Sequence, residues 1–122
     1  MREKEHGHLP HCDSHEVHAE ALEIAKKNCP EGDSLSNIAE FFGIFADRTR
    51  LSILFAIEHA PLCVCDIAEL LSTTKSAVSH QLKILRQADL VRYEKRGKNV
   101  FYRLADCHVR DIIDKAFEHL SE

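Results

Sequence analysis

The feature that most constrains this chain is a change of apolar period between residues 65 and 104. Through "CDIAELL" (65–71) and "SAVSHQLKILRQA" (76–88) the apolar residues recur every three or four positions, the spacing of one helix face, with "STTK" between them as a turn. Through "LVRYEKRGKNVFYRL" (90–104) they recur every second position. Val91, Tyr93, Val100 and Tyr102 alternate with polar residues on either side of "RGKN", as in a β-hairpin. A short helix, a tight turn, a longer helix and a hairpin, in that order, make a helix-turn-helix followed by a wing.

The flanking segments read as helices. "SHEVHAEALEIAKKN" (14–28) begins with Ser14 as a cap and spaces Val17, Ala21, Ile24 and Ala25 along one face, and "CPEGD" ends it. Residues 34–47 bring Leu35, Ile38, Phe41, Phe42 and Phe45 together, and residues 48–59 bring Leu51, Leu54, Phe55 and Ile57 together before Pro61 interrupts. The last helix, 106–122, carries Val109, Ile112, Ile113, Ala116, Phe117 and Leu120. The expected fold is mainly α with one small β-hairpin, a homodimeric winged helix-turn-helix. Residues 1–13, without apolar periodicity, are expected to be a mobile His- and Cys-containing arm. Residues 14–122 form the domain, with its first and last helices as the dimerisation elements. At 122 residues and 44% hydrophobic the core is small, and a partner that buries further apolar surface suits it.

The longer helix divides into two faces. At 100° per residue Val78, Leu82 and Leu85 lie together with the aliphatic part of Gln81, while Ser76, His80, Lys83 and Gln87 lie opposite, with Ser79 on the edge. Short polar side chains of this kind can reach base edges and phosphates in a major groove. An ordinary surface helix has the same pattern; the basic hairpin that follows points to DNA. Residues 75–103 hold eight basic side chains against two acidic ones, a net of +6, and the remaining eight basic and eighteen acidic residues give −10. A basic stripe on an acidic body binds phosphate locally while limiting adhesion elsewhere. The residues expected at operator DNA are Lys75, Ser76, Ser79, His80, Lys83, Arg96 and Lys98.

Two sets of metal-ligand types stand outside this reading head. His108 and His119 are eleven positions apart on the last helix, so they face the same way within about 20° but are separated by roughly 16 Å of rise. One ion cannot touch both, since Zn–N bonds are about 2 Å. Antiparallel pairing of the helix with its copy lays His108 of one chain beside His119 of the other. Asp106 and His108 from one chain then join His119 and Glu122 from its mate, a donor set suited to tetrahedral Zn²⁺. Asp106 also stands where a helix cap belongs. The second set is Cys63 and Cys65, at the start of the short helix, where thiolates are stabilised. They need further ligands, for which the arm offers Cys12 first, then His11, His8 and His6, with Cys29 as a spare. The alternative for the pair is two small core residues.

Together these stretches resemble the ArsR/SmtB family of bacterial metal-sensing repressors. The likeness covers about residues 34–122 and runs through "FADRTRLSIL", "LCVCDIAELL", "SAVSHQLKILRQADLV", "RGKNVFYRLAD" and the D-x-H, ten residues, H-x-x-E ending. It implies a repressor that binds an inverted-repeat operator as a homodimer and is released by Zn(II), Cd(II) or Pb(II). It also implies a thiol site at Cys63 and Cys65 and a zinc-type site at Asp106, His108, His119 and Glu122. The arm departs from the pattern in carrying one cysteine before residue 29. A thiol redox-sensing repressor on the same fold is the alternative.

An enzyme is not expected. "HEVH" (15–18) lacks the H-E-x-x-H spacing of zinc proteases, and no nucleophile triad or phosphate loop stands out. No apolar run reaches membrane-spanning length, and the N-terminus has no apolar signal region, so a cytoplasmic protein with reduced thiols is expected. Five cysteines are an odd number for a disulfide framework.

Overall fold

A computed structural model describes residues 9–14 and 16–122. His6 and His8, named above as candidate ligands from the arm, lie outside the described residues. The chain divides into two compact units, Met1–Ser36 and Asn37–Glu122.

Among the described residues of the first unit, the one complete helix is α1 (Ala19–Asn28). It starts later than the sequence pattern suggests. Ser14 does not cap it: the Ser14 hydroxyl accepts from the Glu16 amide at 3.5 Å, and the N-cap position falls on His18, whose side chain makes no capping bond. Val17 is the only large apolar side chain just ahead of the helix, and it is 69% exposed, so burial gives residues 16–18 no reason to coil. No residue of α1 is buried.

The second unit takes in most of α2 (Asp33–Phe45), then α3 (Arg48–Ala56), α4 (Val64–Leu71), α5 (Lys75–Gln87), β1 (Val91–Arg96), β2 (Asn99–Leu104) and α6 (Cys107–Ser121). Helix α2 stops two residues short of the expected end because Asp47 is taken as a cap. Its carboxylate accepts from the Arg50 amide at 2.9 Å and starts α3. Helix α3 ends at Ala56, where Ile57 leaves helical geometry and is buried. The turn between α4 and α5 is made by Ser72 in the left-handed region, at φ 53°, followed by Thr74, whose hydroxyl accepts from the Ala77 amide at 3.0 Å.

The core lies between α3, α4, α5 and the base of the hairpin, with α6 closing it. Ile53, Leu54, Ile67, Val78, Leu82, Leu85 and Leu90 are each at most 1% exposed, joined by Val91, Leu104, Val109 and Ile113. The inner stripe expected for α5 is the one that is buried. The hairpin pairs Val91 with Leu104, Tyr93 with Tyr102 and Arg96 with Asn99, and turns at Gly97, where φ of +64° suits a residue without a Cβ. Among the described residues no helix is long and apolar enough to cross a membrane.

One carboxylate is sealed in where the end of α3 meets α6. Glu58 is 5% exposed, and its Oε2 has no hydrogen-bond partner among the described residues. Arg110 donates to the Glu58 carbonyl and holds its Nε 3.9 Å from Oε2. A side-chain hydrogen bond with Asp114, burial and the Asp114 charge push the Glu58 carboxyl up, against the opposing pull of His59 and Arg110. The folded chain therefore keeps this proton to higher pH than the unfolded chain does. Between the ordinary glutamate range and the raised one, stability falls as pH rises. Glu58→Gln is expected to flatten that limb in urea-unfolding midpoints taken from about pH 4 to 7. An unchanged slope would show that the Glu58–Asp114 pair does not hold the proton.

Candidate nucleic-acid interface and metal ligands

Burying Val78, Leu82 and Leu85 turns the other side of α5 outward. Lys75, Ser76, Ser79, His80, Lys83 and Gln87 are all exposed on it. Gln81 sits at the boundary, half-buried, and accepts from Arg50 Nη1 at 3.2 Å. Arg50 also donates from Nε to the Ile44 carbonyl at 2.8 Å, so one guanidinium ties the end of α2 and helix α3 to α5. Sequence reasoning passed over Arg50, because nothing in its spacing marks a basic residue that points inward.

The wing presents its charges unevenly. Arg96 is held by Glu94 at 2.8 Å and lies over the Phe101 ring at 4.9 Å. Arg103 is 3.8 Å from the same Glu94, and Arg92 is 3.9 Å from Asp89. Lys75, Lys83, Lys95 and Lys98 form no ion pair among the described residues, so the lysines are the cations most open to a phosphate. Arg86, in the last turn of α5, lies over the Tyr93 ring at 4.5 Å.

All five cysteines are unbonded. Cys65 is exposed and Cys63 half-buried, so neither is the core residue that the alternative reading required. Cys63 is the N-cap of α4. Its Sγ and its amide both lie 3.2 Å from Asp66 Oδ2, which brings a carboxylate against the thiol. Sequence reasoning did not single out Asp66, though the spacing of a cap and its third residue signals such a pair. In the first unit Cys12 Sγ stands 3.9 Å from His18 Nε2, another donor pair not singled out beforehand.

Asp106 is the N-cap of α6. Its Oδ1 accepts from the His108 amide at 2.9 Å and the Val109 amide at 3.3 Å, and lies 3.4 Å from His108 Nδ1. Desolvation works against ionisation of this carboxyl, but the Val109 and His108 amides and the His108 ring outweigh it and hold its pKa below the ordinary value. Oδ2 takes no part in the cap. The pair is solvent-facing, with His108 83% exposed. His119 and Glu122 stand exposed at the other end of the same unbroken helix. The eleven-residue rise between the histidines therefore applies in full, and among the described residues no three such side chains converge on one point. The donors fit a borderline cation by chemistry, as two imidazole–carboxylate pairs.

Between these two ends α6 is apolar and open. Phe42, Phe117 and Leu120 are more than half exposed around a groove of about 290 Å³ that Leu51 and Phe55 floor, with Phe55 and Phe117 packed edge to face at 6.0 Å.

The model of the bacterial regulatory protein arsR family matches residues 47–93, from the Asp47 cap through α5 into β1. The chain is 41% identical over 114 residues to a transcriptional repressor SmtB homolog of Synechocystis, covering 93% of this chain and 86% of that protein. It is 32% identical over 112 residues to a cadmium resistance transcriptional regulatory protein CadC homolog of Staphylococcus aureus, covering 91% and 92%. The solved structure of reduced HlyU from Vibrio cholerae is similar at a TM-score of 0.66 and 27% identity, over 74% of this chain and 96% of that one. With its winged helix-turn-helix, the chain belongs to the arsR family of bacterial regulatory proteins, DNA-binding transcription regulators and not enzymes.

Proposed function

We propose that this protein is a cytoplasmic, metal-responsive repressor that binds an inverted-repeat operator as a homodimer and releases it on capturing Zn(II), Cd(II) or Pb(II). The observation that carries the reading is α6, with one imidazole–carboxylate pair at each end and an open apolar face between them. A single chain cannot close a site from donors so far apart, and the exposed Phe117 and Leu120 supply a reason for two chains to meet along this helix. The relatives named as a repressor and a cadmium resistance regulator support the same reading.

When bound, the ion supplies a Lewis-acid junction between donor pairs of two chains. The chain's own residues do the rest. Asp106 keeps its charge and, through Oδ1, holds the His108 amide and ring in place. Cys63, Cys65 and, from the arm, Cys12 form the softer set; Asp66, 3.2 Å from the Cys63 thiol, and His18, 3.9 Å from the Cys12 thiol, are further candidate donors beside them. Reciprocity requires operator DNA to weaken ion binding by the factor by which the ion weakens DNA binding. A thiol redox sensor is the second reading, favoured by the accessible, unbonded Cys65. Metal titration of the reduced protein on operator DNA separates the two.

Reading by α5 and the wing gives distinct signatures. His80→Ala is expected to weaken operator binding by about 1–3 kcal/mol. Lys98→Ala is expected to lower the salt slope by about one unit whatever the sequence. Fluorescence anisotropy over a salt series checks both, and unchanged affinity in both variants would exclude this face from DNA.

Dimerisation through α6 predicts that Phe117→Glu yields a monomer at micromolar concentration in light scattering where the parent chain is a dimer. A variant that stays dimeric places the interface elsewhere.

Ligand softness divides the two sites. Cd²⁺ is expected to give a sulfur-to-metal charge-transfer band that the Cys63→Ser/Cys65→Ser variant loses while it still binds Zn²⁺. His119→Ala is expected to keep the band and lose zinc-driven release of DNA. Full zinc-driven release from His119→Ala would make the thiol set the switch for both metals.

A further inference from the structure

The wing is anchored at its base and guided at its middle. Val91 and Leu104 are buried there, and the Ala105 amide donates to the Leu90 carbonyl at 2.9 Å. The tip, Lys95 to Lys98, is exposed, and the contacts of Arg96 there, with Glu94 and Phe101, lie within the hairpin itself and do not set its direction against the body. Two-stranded ribbons twist easily, so whatever touches the middle of the hairpin decides where its tip points.

Two contacts meet at that middle. On one side the Arg86 guanidinium of α5 lies 4.5 Å from the centre of the Tyr93 ring. On the other, Leu62 forms an isolated antiparallel bridge to Tyr102: the Tyr102 amide donates to the Leu62 carbonyl at 2.8 Å, and the Leu62 amide to the Tyr102 carbonyl at 3.1 Å. Tyr93 and Tyr102 are partners in register with their rings 6.0 Å apart. Leu62 immediately precedes Cys63. Tyr93 is 43% exposed, so burial alone does not account for an aromatic ring there.

We infer that Arg86 and Tyr93 are positioning residues. With Tyr102 they form a relay that sets the angle of the wing against α5 and carries a shift of the Cys63 turn to the wing. The part played by Cys63 rests on its proposed role as a ligand. The part played by Arg86 does not. An arginine at the end of a DNA-reading helix is ordinarily assigned to a phosphate; here the ring holds it.

Salt dependence separates the two roles. A phosphate contact is lost together with about one unit of salt slope, whereas a positioning contact is lost with the slope unchanged. In the full-length reduced protein, Arg86→Gln and Tyr93→Leu are each expected to weaken metal-free operator binding by about three- to tenfold at constant slope, with the double variant no worse than either. Tyr93→Phe, which keeps the ring, is expected to match the parent and shows that the effect is not a general loss of packing. With Cd²⁺ as the probe, Tyr93→Leu is expected to retain the charge-transfer band at Cys63 but to show a smaller metal-induced loss of DNA affinity. A slope that falls by about one in Arg86→Gln while Tyr93→Leu binds normally overturns the positioning role. An undiminished metal-induced loss in Tyr93→Leu overturns the relay. If Cys63→Ser leaves the parent band intact, the ligand reading fails together with the metal end of the relay, and the slopes still decide Arg86.

Discussion

Everything in the second unit depends on burying one stripe of α5. Val78, Leu82 and Leu85 are withdrawn from water against Ile53, Leu54 and Ile67, and burial of side chains this size contributes roughly 1.5–3 kcal/mol each. A helix has only one other side, so fixing the inner stripe also fixes which residues point out. The polar face of Ser76, Ser79, His80 and Lys83 is the geometric remainder of a hydrophobic contact. It needs no stabilisation of its own, which leaves its chemistry available for DNA.

Directional bonds then limit how α5 can slide on that contact. Dispersion and burial tolerate small shifts; the Arg50 hydrogen bond to Gln81 and the cation–π contact of Arg86 on Tyr93 do not. One ties α5 to the α2–α3 corner and the other ties it to the wing. The helix proposed to read DNA and the wing are thus held at an angle to each other that polar contacts at the edge of the core set.

Most of the fold was legible in the sequence because its signals are periodic. The switch from the three-to-four spacing to the two spacing located α4, α5 and the hairpin to within about a residue. The alternation of Val91, Tyr93, Val100 and Tyr102 marked the two strands, and the structure supplies their register, Tyr93 opposite Tyr102 and Val91 opposite Leu104. The errors fall where periodicity carries no information. Ser14 is a good cap residue, but too little apolar surface follows it to start a helix there. Asp47 ends one helix pattern and caps the next, and only the geometry decides between them. At the site, the reach of α6 from Asp106 to His119 followed from spacing, whereas the exposure of Cys65 settles an alternative that the sequence left open. Asp66 beside Cys63 obeys the spacing of a cap and its third residue, whereas Arg96 held by Glu94 is a side-chain meeting that no period encodes.

The placement of the candidate ligands follows the same physics. Asp106, His108, His119 and Glu122 stand at the ends of α6, and Cys63 caps α4; none belongs to the buried set. A ligand inside the core would make folding itself depend on the ion, because removing it would leave polar groups buried without partners. Ligands at helix ends leave the core unchanged whether or not an ion is present, so ion binding can act only on how folded parts are arranged. For the proposed dimeric repressor on two half-sites, arrangement would be the quantity that matters: two copies of α5 would have to match two major grooves at once. A device that alters only relative orientation can weaken DNA binding without weakening the protein, and the exposed imidazoles, carboxylates and thiols of this chain stand where such a device would act.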